Sequence, residues 1–141
     1  MILGQAQTTT FKLDLLKGLV NFDAGSPYTY KIALYNAEAT INSETSAYTT
    51  QDEITGTGYT AGGEVLVPII GSDPSNNTAY VTFSNVTWDP ASFSAAGALI
   101  YNSDTNASVA VLSFGGVKTA STTFTIEFPA DTSTTAVIRI N

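Results

Sequence analysis

From Tyr28 to Ile140, apolar and polar residues alternate with period two, and Gly, Asn, Asp and Pro interrupt the alternation at short intervals. A period of two sends successive side chains to opposite faces of an extended chain, so the pattern commits this sequence to antiparallel strands. The segments that carry it are YTYKIALY (28–35), EVLVPII (64–70), TAYVTFSN (78–85), GALIYN (97–102), SVAVLSF (108–114), TTFTIEF (122–128) and TAVIRI (135–140). So many short strands in one chain argue for an all-β sandwich or barrel, and the expected fold is an antiparallel β-sandwich, jelly-roll-like, of about eight strands with at most one or two short helices. The loops SDPSNN and NSDTNA carry hairpin turn residues.

Two stretches depart from the pattern. In FKLDLLKGL, Phe11, Leu13 and Leu15 would line one face of a strand, whereas Phe11, Leu15 and Leu19 recur at helical spacing with Gly18 at a stop position. The helical reading is preferred, and Ser46 to Glu53 is expected to form another helical turn. VTWDPASFSAA reads as a crossover, in which Pro90 keeps Asp89 out of helical conformation.

At 141 residues the chain is expected to be one domain, able to bury roughly 68% of its unfolded surface without staples. It has no cysteine and no histidine, which removes disulfides, thiol nucleophiles and the commonest metal ligand and general base. Charged residues are 12% of the chain, while Ser and Thr make up about a quarter of it, so hydroxyls rather than charges wet its surface. The net charge is −7, and only Lys12, Lys17, Lys31, Lys118 and Arg139 oppose it. Five scattered cations do not make a phosphate-binding footprint, so no nucleic-acid partner is expected. MILGQAQTTT lacks a basic n-region, and no run reaches the 18 apolar residues of a membrane span, so neither a signal peptide nor a membrane partner is expected.

One short motif suggests chemistry. Within EITGTGYTAGGEVL, Gly56, Gly58 and Ala61 satisfy G-x-G-x-x-G/A, the spacing with which a backbone cradles a pyrophosphate. That fingerprint requires a buried strand before it and a helix after it. Here the lead-in AYTTQDEIT is polar and the lead-out GGEVLVPII is β-branched with Pro68, while Asp52, Glu53 and Glu64 would repel phosphate. The glycines read as turn formers with positive φ, and no cofactor is expected.

Other candidates are weaker. Asn76, Asn85 and Asn106 sit in N-x-S/T sequons, but nine asparagines in a chain this rich in Ser and Thr produce about two by chance. Asp73, Asn77, Asp104 and Asn106 offer oxygens to calcium, yet neither loop has the bidentate Glu or the glycine of a dedicated site, so no metal is expected. Among Glu38, Glu44, Glu53, Glu64 and Glu127, only Glu127 lies on a clear strand, and it alternates outward, so no catalytic carboxylate pair is indicated. Trp88, Tyr28, Tyr48, Tyr59, Tyr80 and Tyr101 read first as core or sheet-face aromatics. A sugar-stacking shelf would instead need several coplanar exposed rings.

FKLDLLKGLVNF, YKIALYNAEATINSETSAYTTQDEITGTGYTAGG, VTFSNVTW, GALIYNSD, VAVLSFGGVKTAS, TFTIEFP and AVIRIN together resemble a family of small tailed-bacteriophage virion proteins, over Phe11 to Asn141. Within that family the chain is similar to capsid decoration or cement proteins, compact β-domains, commonly trimeric, seated on the outside of the shell. The resemblance implies a non-enzymatic protein made in the host cytoplasm and carried on the outer surface of the phage head. Its implied partners are the major capsid protein and, as a homotrimer, itself, and it brings no catalytic residues to transfer. A tail-associated or carbohydrate-binding β-sandwich module is the alternative.

Residues 1–10 lie outside the resemblance and are expected to form an arm, with residues 11–141 as the domain. An apolar Ile2-Leu3 tip on a tether ending in Thr8, Thr9 and Thr10 suits addition to the edge of a neighbouring sheet, so these five residues are the expected interface.

Overall fold

The computed structural model describes residues 2–141; Met1 and the side chains of Ile2 and Leu3 lie outside what it describes. In chain order the elements are β1 (Ile2–Leu3), β2 (Ala6–Gln7), α1 (Thr9–Lys17), β3 (Tyr30–Tyr35), β4 (Thr40–Ile41), β5 (Glu64–Val65) and β6 (Pro68–Asp73). A 3₁₀ turn at Pro74–Asn76 leads to β7 (Thr78–Phe83), β8 (Val86–Trp88), β9 (Phe93–Asn102), β10 (Ser108–Ala120), β11 (Phe124–Ile126) and β12 (Ile138–Ile140). Strands make up 44% of the residues, and the fold is all-β and sandwich-like. Four of these strands are two residues long; the other eight correspond to the expected number.

The first layer is a five-stranded antiparallel sheet in the order β2-β10-β9-β3-β5. The second is built on β7 and β8, successive segments of the chain: β12-β7-β6 form one sheet, and β11 pairs with β8. The inward rows Ile32, Leu34, Ala98 and Ile100 of the first layer meet Val81, Phe83, Trp88, Phe124 and Ile138 of the second in one buried cluster. β3 and β9 are buried on both faces, because a second cluster of Ala33, Tyr35, Ile41, Leu99, Tyr101 and Val111 forms on the far side of the first sheet. The chain between β3 and β5 covers that side, and this is the reason those two strands read as nearly continuous apolar runs rather than alternating ones.

α1 forms where Phe11 and Leu15 can face the core, and Phe11 is completely buried, a placement worth about 2 kcal/mol. Thr8 caps its start by accepting a hydrogen bond from the Phe11 N–H at 3.1 Å. Gly18 ends it in the left-handed region at φ 72°, where its N–H and that of Leu19 reach back to the carbonyls of Leu15 and Asp14.

Three expectations are corrected. Ser46–Glu53 is not helical: Ala47 bridges to Ala107 and Glu53 to Tyr35, and the one turn between them, at Gln51–Asp52, is closed by the Glu53 N–H donating to the Thr50 carbonyl with Asp52 at φ 62°. VTWDPASFSAA does cross between the layers, but largely as strand: it contains β8 of the second layer and the start of β9 of the first, with a bend at Asp89–Pro90 between them. Residues 2–10 are not a separate arm in this chain. β1 pairs in parallel with β4, β2 pairs with β10, and Thr8 is fully buried, its Oγ1 2.9 Å from Ser108 Oγ. Thr9 and Thr10 open the helix, and of the three threonines Thr8 is the one buried in the domain's own packing, while Thr9 is exposed.

Candidate functional site

Many of the side-chain hydrogen bonds close local turns, and one cluster gathers several tyrosines around a carboxylate. Residues 52–54 run beside the end of β3: Asn36 N–H donates to the Asp52 carbonyl and Ile54 N–H to that of Leu34, each at 3.0 Å. That pairing turns the Glu53 side chain toward the loop that follows. Its Oε1 accepts from the Tyr59 hydroxyl at 2.6 Å and from the Gly62 N–H at 2.7 Å, and its Oε2 accepts from the Tyr48 hydroxyl at 2.6 Å. Tyr59 Oη accepts in turn from the Leu34 N–H at 2.9 Å, and the Tyr101 hydroxyl donates to the Gly62 carbonyl at 2.7 Å. Tyr48 stacks on Tyr101 with ring centroids 4.6 Å apart. Nearby, Tyr35 donates to the Thr49 carbonyl at 2.6 Å.

The phenols are held neutral. Burial raises the pKa of Tyr59, Tyr35, Tyr48 and Tyr101 above the ordinary value, and the adjacent Glu53 carboxylate adds to the effect; Tyr101 is pushed up to about 12. A neutral phenol donating to a carboxylate makes a short charge-assisted hydrogen bond, but it is a poor base. No second carboxylate is bonded to Glu53; Glu44, for example, accepts instead from Thr9 and Ser43. The cluster fastens the 45–63 segment to the first sheet.

The glycine motif belongs to this clamp. Gly56, Gly58, Gly62 and Gly63 all have positive φ, as the turn reading requires. A Cβ on Gly58 would stand 1.8 Å from the Pro90 carbonyl oxygen, and one on Gly63 would stand 1.7 Å from that of Ile32. The glycines let the loop lie directly on neighbouring backbone, and no helix follows Ala61 whose N-terminus could hold phosphate.

The remaining candidates are kept apart. Asp73 accepts from Ser75, Asn76 and Ser133 at 2.6 to 2.7 Å, led by Ser133, and these donors hold its carboxyl well below the usual range. Asp104 accepts from the Thr29 N–H on another turn, while Asn77 and Asn106 occupy left-handed turn positions. Among the described residues no group of three or more acidic side chains is arranged to hold a metal ion. Of the sequon asparagines, Asn85 uses its Oδ1 to accept from the Phe128 N–H. Trp88 and Tyr101 are buried, and Tyr28, Tyr48, Tyr59 and Tyr80 are half-buried, so these six rings do not form an exposed shelf.

The network itself escaped sequence reading. Glu53 was singled out only as a possible acid or as a repellent to phosphate, and its tyrosine partners lie on a loop whose path no periodicity describes. Compared with family models, curated proteins and solved structures, the chain matches none.

Proposed function

We propose that this protein is a non-enzymatic structural component of a tailed-phage virion, a decoration protein that binds the major capsid protein on the outside of the head. The reading starts from the resemblance expected for Phe11 to Asn141 in the sequence analysis. The observation that carries it furthest is the surface. Nine large aliphatic residues are exposed among those described, including Leu16 at 87%, Val67 at 58% and Val117 at 56%, in a chain of which only 12% is charged. Exposed apolar residues with little competing charge suit a protein that hides its faces against others. The organised polar groups support the same reading, because the carboxylate at the centre of the largest cluster is spent on holding a loop.

The test is to add the purified protein to heads of the encoding phage that lack it. A decoration protein binds saturably, with many sites per head, and raises the temperature at which heads rupture. No binding and no change in rupture temperature would overturn the proposal.

A further inference from the structure

The two sheets leave strand edges open on opposite sides of the domain, and these differ in charge. On one side, β2 covers β10 only at Ala110 and Val111, and among the described residues no strand continues that ladder toward Ala120. β10 leads directly into β11, which is itself terminal, paired only with β8. Between these two edges lies a groove of about 890 Å³ with Leu112, Phe114, Phe124 and Phe128 among its lining residues. Lys118 and Arg139, two of the five cations in the chain, also line it, against the single carboxylate of Glu127.

The other side is the run through β5 and β6. β6 is the terminal strand of its sheet, and Val65, Val67, Ile69 and Ile70 are 36% to 58% exposed. The run EVLVPIIGSD begins with Glu64, ends with Asp73 and contains no cation. A strand edge with exposed aliphatic side chains is a template for pairing with another chain.

We infer that the β5–β6 edge of one copy docks into the β10–β11 groove of a second copy of this chain. The cationic groove complements the acidic edge, and in a chain of net charge −7 few surfaces can receive another copy without repulsion. Different surfaces on each copy make the contact heterologous, so it propagates head to tail, and the inferred assembly is the closed form, a ring, rather than an open filament. The inference gives contact surfaces to the homo-oligomer that the sequence resemblance implies and does not depend on the capsid as partner.

A mixing experiment tests it with two substitutions at exposed positions, Val67→Lys on the edge and Lys118→Glu in the groove. Circular dichroism and thermal melts check that each variant folds, and sedimentation velocity at tens of micromolar reads the assembly. The unaltered chain should sediment as a closed oligomer. Each variant alone should dissociate at least about tenfold more readily. Mixed in equal amounts, they should form a heterodimer, because one intact edge and one intact groove remain between them. A monomeric unaltered chain, variants that assemble normally, or a mixture that stays monomeric would each overturn the inference. Heads that fail to bind a chain that still forms the ring would count against the capsid reading alone.

Discussion

Tyr59 donates its hydroxyl to Glu53 at 2.6 Å, and through this contact the domain's two apolar clusters are joined. Tyr59 packs on the cluster between the layers, while Tyr48, which holds the other Glu53 oxygen, packs on the cluster behind the first sheet. Replacing Glu53 with Gln removes the charge that strengthens these bonds and offers an amide donor where acceptors are needed. Glu53→Gln should cost about 2 kcal/mol in urea denaturation. Tyr59→Phe should cost about as much, since it also strips the acceptor from the Leu34 N–H.

Stability should fall at alkaline pH before the general charge of the chain would require it. Tyr35, Tyr48, Tyr59 and Tyr101 have folded-state pKa values raised above 10, chiefly by burial. A raised value means that the folded state favours the neutral phenol, so this contribution is fully present below pH 10. It is lost as pH rises through the folded values, the first near 12 for Tyr101. Denaturation midpoints measured against pH should be level with respect to these groups below 10 and decline above it. Tyr48→Phe should make that decline shallower.

The glycines separate close approach from simple conformational strain. Gly58 has φ 88° and no room for a Cβ, whereas Gly115 has φ 74° with nothing within 4 Å of the added atom. Gly115→Ala should therefore cost only about 1–2 kcal/mol, the strain of a left-handed L residue. Gly58→Ala should cost several times as much or prevent folding, and thermal melts compare the two directly. Dinucleotides should leave the melting temperature of the unaltered protein unchanged, and micromolar binding would contradict the structural reading of this loop.

The sequence made β11 legible because Phe124 and Ile126 are buried while Thr125 between them stays wet. It also placed α1, since Phe11 and Leu15 recur at helical spacing and Gly18 offers a left-handed stop. Short β8 was hidden because three residues, Val86 to Trp88, cannot establish a period. The extent of β10 was hidden as well: its pairing with β9 slips between Ser113 and Lys118, and Gly115 and Gly116 interrupt the alternation there. Ser46–Glu53 gave no warning of its path, because its bridges are to Ala107 and to Tyr35 on other parts of the chain. The Glu53 cluster was illegible for the same reason, because its partners meet only once the glycine loop has been laid on the sheet.

Removal of residues 2–10 should now impair folding rather than attachment alone. Thr8 caps α1 and is buried beside Ser108, whose hydroxyl donates to the Thr45 carbonyl at 2.6 Å. Thr8→Ala should cost about 1–2 kcal/mol through loss of the cap, and Thr8→Ser should recover most of it. Urea denaturation of the three proteins gives the comparison. A truncated chain as stable as the full one would restore the view of this segment as a detachable arm.

Electron cryomicroscopy of the virion at residue resolution tests the central claim most directly, because it reads copy number, position and neighbours together. The account predicts this chain on the outer face of the head, in many symmetry-related copies, each ring held by β5–β6 edges seated in β10–β11 grooves. Absence of the chain from the particle, or its presence in a few copies confined to the tail, would contradict it.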